Sequence, residues 1–353
     1  MRNVNETKKE RMYQTSRKEQ FIEWFRWGVA NGDCDSALWM INYLNKRYEH
    51  NTEEKIWLCW LYGNTYYLPT SWLLKQEFPD EELASYERLD KWNTENYNSL
   101  RDQTYTKGSK GHLPEMYQSY HEWLGGKTQL ERINEFVTDD EQETFDNLWK
   151  EVKKKWFKFG RYTAWFYLQT LKHTVSISME PATLMLNDYS GSKSHRNGLI
   201  YALGLEGSGW LNKKLTIDQY QFLEGEASEI LEECHRRFPE LKGQMDRFAM
   251  ETSLCSFKKL FRESRGRYMG YYLDRQSEEI MRVEKDGWFG VDWEVLWDGR
   301  EEVIGEPLAP LYGRVDKSKM KLFVEEGRFH YKSDRIHRVS SVRKVNSNET
   351  VNV

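Results

Sequence analysis

Apolar side chains recur along most of the chain at the three- and four-residue spacing that gives an α-helix one buried face. The stretch FIEWFRWGVA at 21–30 follows this spacing, and similar helices are predicted at 36–49, 216–237, 244–262 and 268–282. The best strand pattern is short, MKLFVEE near residue 320. The hydrophobic pattern therefore predicts an all-α fold with little or no sheet, either as one large helical domain or as two packed subdomains.

Two further segments are predicted to contain helices with internal breaks. Residues 53–77 are apolar on nearly every side, so this helix is expected to be buried, with a capping signal at Thr52. Pro69 interrupts it, because proline lacks an N–H and disfavours helix in the residue before it. Residues 139–173 form a second helical run, with an expected break at Gly160.

The chain has 353 residues, which exceeds the length at which one hydrophobic core usually stops growing. Polarity and periodicity divide it into four predicted regions. They are a polar N-terminal arm at 1–18, a helical domain carrying the candidate chemistry at 19–310, a C-terminal extension at 311–340 and a disordered tail at 341–353.

Composition narrows the class of protein. The formal net charge of −4 gives no overall attraction to nucleic acid or an anionic membrane, so a polyanion would have to meet local basic clusters. The four cysteines form no C-x-x-C pair, which disfavours zinc and a disulfide framework. The N-terminus lacks the apolar region of a signal peptide, and no apolar run is long enough to span a membrane. These features predict a cytoplasmic protein without a membrane partner.

The stretch DYSGSKSHRNGLIYALG at 188–204 places hydroxyl and basic groups between two apolar segments. A short helix is predicted after Pro181, and another is predicted to begin near Asn197. The unsatisfied N–H groups and positive dipole of a helix N-terminus suit phosphate. The candidate anion-binding residues are Ser192, Lys193, His195 and Arg196. The alternative is a solvated loop with an ordinary serine cap, and the spacing of a Walker A motif is absent.

The segment METSLCSFKKLFRESRGRYMGYYLDRQSEE offers two further groups at helical spacing. One helical face would carry a carboxylate, a thiol and two ammonium groups, from Glu251, Cys255, Lys258 and Lys259. A strip that suits base stacking and anion binding would follow, formed by Tyr268, Tyr271, Tyr272 and Arg275. The alternative is surface ion pairs beside half-buried tyrosines.

Polar residues also occur inside apolar segments elsewhere. Asn64 stands in WLCWLYGNTYYLPTSW, where a buried amide needs a partner from the backbone or a ligand. Arg161 follows a lysine-rich helix and is surrounded by apolar residues in KFGRYTAW. The neighbouring lysines are interpreted as a solvated helix face, although lysines interleaved with Trp156 and Phe157 would also suit a nucleic-acid backbone.

Five segments together resemble the motif set of the bacteriophage amino acid:DNA transferases. They are LCWLYGNTYYLPTSWLLKQEFPD, FGRYTAWFYLQTL, GSKSHRNGLIYALG, TSLCSFKKLFRESRGRYMGYYLDRQSEEI and GVDWEVLWDGRE, in order over about residues 20–305. The resemblance implies an enzyme of thymidine hypermodification in the host cell cytoplasm. Its substrates would be double-stranded DNA with pyrophosphorylated 5-hydroxymethyluracil and a free amino acid such as glycine or glutamate, which displaces pyrophosphate.

That chemistry suggests a role for each candidate residue. The attacking amine must lose a proton and the leaving pyrophosphate gains charge, so a base and positive groups are needed. The candidates for catalysis are Glu251 or Asp274 as the base and Lys258 as a source of positive charge. The candidates for pyrophosphate or DNA phosphate are Ser192, Lys193, His195, Arg196, Lys259 and Arg161. The candidates for the amino acid or an extrahelical base are Asn64, Tyr66, Arg267, Tyr268, Tyr271 and Arg275.

The reaction requires no organic cofactor. A divalent ion on the pyrophosphate is compatible with it, but the sequence shows no dedicated metal-ligand cluster. Two other functions fit the same residues. One is a helical, glycosylase-like base-excising enzyme, because the turn GLEGSG at 204–209 faintly resembles a helix-hairpin-helix turn. The other is a non-catalytic DNA-binding phage protein.

Overall fold

A computed structural model describes residues 16–98, 100–101, 110–189, 191–261, 270–285, 288 and 290–304. Over this part the fold is all-α, as predicted, and no strand occurs. The α-helices are α1 Arg17–Ala30, α2 Ser36–Arg47, α3 Thr52–Thr65, α4 Leu68–Glu77, α5 Tyr86–Asn96, α6 Leu113–Leu124, α7 Gln129–Asn134, α8 Glu141–Lys155, α9 Arg161–Thr170, α10 Lys193–Ala202, α11 Ile217–Arg237, α12 Arg247–Phe257, α13 Tyr271–Lys285 and α14 Glu294–Gly299.

The chain divides into two compact units. Of the described residues, the first unit takes those within Met1–Ser36, Thr183–Glu278 and Ile304–Val353, and the second takes those within Ala37–Ala182 and Glu279–Val303. Both units are therefore discontinuous in sequence. The predicted region boundaries at residues 18, 310 and 340 stay predictions, and the C-terminal extension, the tail and the MKLFVEE segment lie outside the described residues.

The core of the first unit is formed by α1, α10, α11 and α12. Phe257 at the end of α12 packs edge-on against Phe21 and Trp24 of α1, with ring centroids 5.3 and 6.0 Å away. Helices α10 and α12 are in close backbone contact at Gly198, where an added Cβ would lie 2.0 Å from the Leu254 carbonyl oxygen. This contact requires glycine and holds the two helices backbone to backbone.

Asp33 fixes the start of α13 within the same unit. Its buried carboxylate accepts backbone N–H groups from Gly270, Tyr272 and Leu273 at 2.9, 2.8 and 3.2 Å. Ser36 adds a hydrogen bond from its hydroxyl to the Tyr272 carbonyl at 2.8 Å. A carboxylate at the N-terminus of a helix satisfies otherwise unpaired donors and opposes the positive end of the helix dipole.

The second unit is built around α3, which packs against α4 and α9. The predicted burial of this helix is confirmed, because every side chain from Ile56 to Thr65 is buried. Trp57 and Trp60 stack at 4.9 Å with an interplanar angle of 6°, which uses part of the high aromatic content in the core. The helix breaks at Pro69 and Gly160 are also confirmed: Pro69 lies in the first turn of α4, and Gly160 is the N-cap of α9.

Three local predictions are corrected. Asn51, not Thr52, caps α3, through a reciprocal capping box with Glu54. Residues after Pro181 form turns instead of a short helix. Helix α10 begins at Lys193, not near Asn197, because a turn at Asp188 precedes it: the Ser192 N–H donates to the Asp188 carbonyl at 2.8 Å, and the Gly191 N–H donates to its Oδ1 at 3.0 Å.

Candidate functional site

The short segment Leu184–Leu186 organises the polar cluster of the first unit. Its N–H groups are held by the Glu224 carboxylate of α11, which accepts from Leu184 at 2.9 Å and from Leu186 at 2.7 Å. Its carbonyl groups face α10, where Ser192 Oγ donates to the Leu186 oxygen at 2.8 Å. Glu224 thus positions the carbonyl groups that receive the first turn of α10.

His195 and Glu251 form a buried pair between α10 and α12. Nε2 of His195 lies 3.2 Å from the Leu184 carbonyl oxygen, and Nδ1 lies 2.9 Å from Oε1 of Glu251. A carbonyl oxygen only accepts, so Nε2 carries a proton. Nδ1 then faces the Glu251 carboxyl group at ion-pair distance, which makes an imidazolium–carboxylate pair when the ring is protonated. His195 is 0 % exposed, so both of its ring nitrogens are directed to protein groups.

Ser194, Cys255 and Lys258 form a second contact between the same two segments. Lys258 Nζ donates to Ser194 Oγ at 2.5 Å, and Ser194 Oγ lies 2.7 Å from Cys255 Sγ. Lys258 is buried, whereas Cys255 is partly exposed. The helical spacing predicted that Lys258 and Lys259 lie on the same continuous helix as Glu251. In the structure α12 ends at Phe257, and both lysines lie in a 3-10 turn, Lys258–Phe261, where they are buried.

Arg196 lies inside the cluster, whereas Lys193 is exposed at the first position of α10. The Arg196 guanidinium donates from Nη1 to Ser192 Oγ at 3.1 Å and to the Leu186 oxygen at 3.4 Å. Burial lowers the pKa of the guanidinium from its ordinary value, although arginine stays protonated. The structure therefore brings together the predicted residues Ser192, Lys193, His195, Arg196, Glu251, Lys258 and Lys259 within one unit.

The predicted residues of α13 are described only in part. Tyr271 is half-buried, and the Arg275 guanidinium lies 6.0 Å from the centre of the Tyr272 ring. Asp274 lies in the first turn of this helix. Arg267 and Tyr268 lie outside the described residues, so their predicted roles remain predictions.

Three predicted residues belong to the second unit and are buried there. Asn64 Nδ2 donates to the Trp60 carbonyl at 2.7 Å, while Oδ1 has no hydrogen-bond partner among the described residues. Tyr66 ends α3 in the left-handed region at φ 45°, and its ring lies 4.2 Å from that of Phe166. Arg161 begins α9, with its guanidinium 4.8 Å from the centre of the Trp165 ring. These contacts of the three residues are with residues of the second unit.

The model of the family described as amino acid:DNA transferase matches residues 27–265. The chain belongs to this family. The matched segment contains α10, α12 and the lysines of the 3-10 turn, and it ends before Arg267. This amino acid:DNA transferase therefore acts on DNA with an amino acid as the second substrate.

One curated relative supports the same assignment. The chain is 28 % identical to a protein named serinyltransferase from Salmonella phage ViI, over 296 residues that cover 78 % of this chain and 71 % of the relative. No solved structure matches the transferase.

Several residues of the transferase cluster were missed by sequence reasoning. Glu224 binds Leu184, and Tyr189 and Tyr220 face Arg196; Tyr189 is separated from Arg196 by the turn before α10, and Glu224 and Tyr220 are tens of residues from their partners. Glu224 lies in the amphipathic stretch FLEGEASEI and looks like an ordinary surface acid there. Its hydrogen bonds with the N–H groups of Leu184 and Leu186 follow from the packing of α11, which no local pattern reveals.

The transferase shows neither a metal-ligand cluster nor a membrane-spanning helix in its described part. No group of three or more His, Cys, Asp or Glu side chains could hold an ion there. No helix in that part combines the length and hydropathy needed to cross a bilayer. One open surface groove of the second unit contains none of the predicted residues; it is lined by Tyr43, Lys46, Arg47, Glu49, Asp298, Glu301 and Glu302.

Proposed function

We propose that the protein attaches an amino acid to pyrophosphorylated 5-hydroxymethyluracil in phage DNA and releases pyrophosphate. The observation that supports this most is the buried positive charge of Lys258, held against Ser194 at the start of α10. Lys259 is buried beside it in the same 3-10 turn. Burial strengthens the interaction of such charges with an anion, because the surrounding dielectric is low.

The bond changes define what this cluster has to do. The lone pair of the amino-acid nitrogen attacks the methylene carbon on the base, a C–N bond forms, and the C–O bond to pyrophosphate breaks. One proton leaves the attacking nitrogen. Lys258 and Lys259 would stabilise the leaving pyrophosphate, together with Lys193 at the exposed N-terminus of α10.

We assign the proton to Glu251, with His195 as the residue that positions it. The 2.9 Å contact between His195 Nδ1 and Glu251 Oε1 fixes the carboxyl group across the α10–α12 interface. Asp274 remains the second candidate for the base. The reacting methylene belongs to a base, so an extrahelical nucleotide is expected, and Tyr268 or Tyr271 is proposed to stack on it.

The transferred amino acid is proposed to be small or acidic. The sequence suggested glycine or glutamate, and the phage ViI relative is named for serine. All three carry the same α-amino and α-carboxylate groups, so they make the same demands on the catalytic residues. They differ only in the side chain that the site must accept.

The test is a transfer assay with matched variants. DNA with pyrophosphorylated 5-hydroxymethyluracil is incubated with the protein and glycine, L-serine or L-glutamate, then digested to nucleosides for mass spectrometry. An aminoacyl-thymidine adduct and released pyrophosphate are expected. Lys258→Met should lower turnover by about 100- to 1,000-fold, as for loss of one preorganised donor. Lys213→Met, at an exposed position, is the control.

The other functions predict different products. Release of the free base with an abasic site would establish the glycosylase-like reaction instead. Unchanged DNA, with a verified substrate and each of the three amino acids, would leave only DNA binding.

A further inference from the structure

Arg196 is fully buried, yet most of its hydrogen-bonding capacity is unused within the described part of the chain. Its side chain is 0 % exposed. Nη1 is bound to Ser192 Oγ and to the Leu186 oxygen, at 3.1 and 3.4 Å. Nε and Nη2 have no hydrogen-bond partner among the described residues. Because an unpaired buried donor destabilises a fold, this arrangement indicates that a ligand supplies the missing acceptor.

The two unpaired nitrogens have a specific geometry. Nε–H and one Nη2–H point in parallel from the same edge of the guanidinium plane, and this edge forms two hydrogen bonds to one carboxylate. Nη1, on the other side, anchors the group to Ser192 and Leu186. Ser192 Oγ also donates directly to the Leu186 oxygen at 2.8 Å, so these two groups stay paired without Arg196.

Two tyrosines surround the guanidinium. Cζ of Arg196 lies 5.1 Å from the centre of the Tyr189 ring and 5.9 Å from that of Tyr220. Tyr220 is buried, whereas Tyr189 is 39 % exposed and donates its hydroxyl proton to the Asn212 carbonyl at 2.9 Å. Of the two rings, that of Tyr189 reaches the surface, so the proposed route for a small ligand to the guanidinium passes this ring.

The nearby acidic groups already have other contacts. Asp188 accepts the Gly191 N–H at 3.0 Å. Glu224 accepts the N–H groups of Leu184 and Leu186, and Glu251 faces His195. Within the described chain no carboxylate lies within 4.0 Å of the Arg196 guanidinium, so its positive charge is available to an anion.

We propose that the Nε–Nη2 edge of Arg196 binds the α-carboxylate of the amino acid that is transferred. This inference rests on the proposed function and reassigns Arg196 from pyrophosphate, for which the sequence had suggested it. An anion is the shared chemistry of the two ligands. A carboxylate has only three heavy atoms, and its plane matches the two parallel N–H groups, so it suits a site closed to solvent better than a tetrahedral diphosphate does.

Binding is tested first with wild-type protein and no DNA. Thermal unfolding is followed with glycine, L-serine, L-glutamate, their α-carboxamides and inorganic pyrophosphate as separate probes. A ligand that binds only the folded state raises the melting temperature. At least one amino acid should raise it, while the corresponding carboxamide should not, because the carboxamide lacks the anionic group. Equal shifts from an amino acid and its carboxamide would overturn the proposal.

Variants then identify the residue. Arg196→Met should abolish the amino-acid shift, retain the pyrophosphate shift and raise the KM for the amino acid by about 10- to 100-fold, with the KM for DNA unchanged. Arg196→Lys keeps the charge but not the two parallel donors, so its KM for the amino acid should lie between that of wild type and that of Arg196→Met. Arg236→Met, at an exposed arginine of α11, is the control and should match wild type.

Stability separates this role from a structural one. Removal of an unpaired buried charge should raise the ligand-free melting temperature of Arg196→Met by about 2–4 °C. A lowered melting temperature with an unchanged amino-acid KM would make Arg196 structural and overturn the proposal. Loss of the pyrophosphate shift alone would also overturn it, in favour of a phosphate site. Absence of transfer by wild type, with the amino-acid shift intact, would refute the proposed reaction but not the carboxylate site.

Discussion

Replacing Gly198 by alanine should separate the two helices that carry the polar cluster. The new Cβ would lie 2.0 Å from the Leu254 carbonyl oxygen and 2.6 Å from its carbon. A contact of 3.0 Å is the shortest that real Cβ atoms show, so α10 and α12 must move apart by about 1 Å. The obstacle is backbone, which cannot turn aside as a flexible side chain does.

The expected loss of stability follows from two opposing effects. Overpacking costs about 1–3 kcal/mol, and a backbone clash belongs at the upper end of that range or above it. Alanine inside a helix recovers up to about 1 kcal/mol relative to glycine. The net effect is a loss of about 2 kcal/mol. The same displacement would lengthen the contacts of His195 with Glu251 and of Ser194 with Lys258 beyond hydrogen-bonding distance, so turnover should fall as well.

Gly225→Ala in α11 is the matched control, because a Cβ there meets nothing within 4 Å. Urea unfolding followed by tryptophan fluorescence measures both variants, and the transfer assay measures their turnover. Gly225→Ala should be as stable as wild type or more stable, by up to about 1 kcal/mol. If Gly198→Ala unfolds at the same urea concentration as Gly225→Ala and retains turnover, the close approach of α10 to α12 is wrong.

Three further predictions test the surroundings of this interface. Glu224→Ala leaves two backbone N–H groups unpaired and should lower the free energy of unfolding by about 1–3 kcal/mol. Urea unfolding measures this loss, and Glu232→Ala, at an exposed position of α11, is the control that should change the free energy of unfolding little. N-ethylmaleimide should modify Cys255 before the three buried cysteines and stop transfer, because Cys255 is partly exposed and contacts Ser194. The Cys255→Ser variant should keep its turnover in the presence of the reagent. Normal turnover of a protein fully modified at Cys255 would contradict this prediction. Burial lowers the pKa of His50 to about 4, and the nearby positive charge of Lys75 contributes to the same shift. Below the ordinary histidine pKa of about 6.5, the unfolded chain therefore binds more protons at this residue than the folded protein does. The free energy of unfolding should fall as the pH drops toward 4. Between about pH 7 and pH 5 the expected loss is about 1–2 kcal/mol after allowance for solvent screening. Thermal melts of His50→Gln across this range should show a smaller loss, and an equal loss would contradict it.

Local patterns predicted the helices well and their contacts poorly. The spacing of apolar residues gave the extent of α11 almost to the residue, and proline and glycine marked the starts of α4 and α9 because their effects act on adjacent backbone. The start of α10 was placed too late. Its first turn is held by Asp188 and by the carbonyl groups of 184–186, which a pattern of apolar spacing does not register.

The candidate site was predicted in composition but not in arrangement. The stretch GSKSHR was singled out because hydroxyl and basic groups preceded an apolar helix. Which of those groups face protein depends on contacts over long sequence separations, such as the 40 residues from Leu184 to Glu224 and the 64 from Ser194 to Lys258. Periodicity places a residue on a face of its own helix, but it does not name the residue on the opposite helix.

His195 and Arg196 show how burial alone misleads about function. They are adjacent in sequence, both are 0 % exposed, and the sequence suggested the same role for both. Yet His195 directs one ring nitrogen to the Leu184 carbonyl and the other, at ion-pair distance, to the Glu251 carboxyl group, whereas Arg196 has protein acceptors for one nitrogen of three within the described chain. A side chain whose polar atoms are all engaged by protein contributes its binding energy to the folded state. A buried side chain that keeps a paired set of donors unused costs stability until a ligand arrives, and that cost is then recovered as binding energy. The distribution of polar and ionic contacts therefore separates a residue that builds the site from one that binds its ligand.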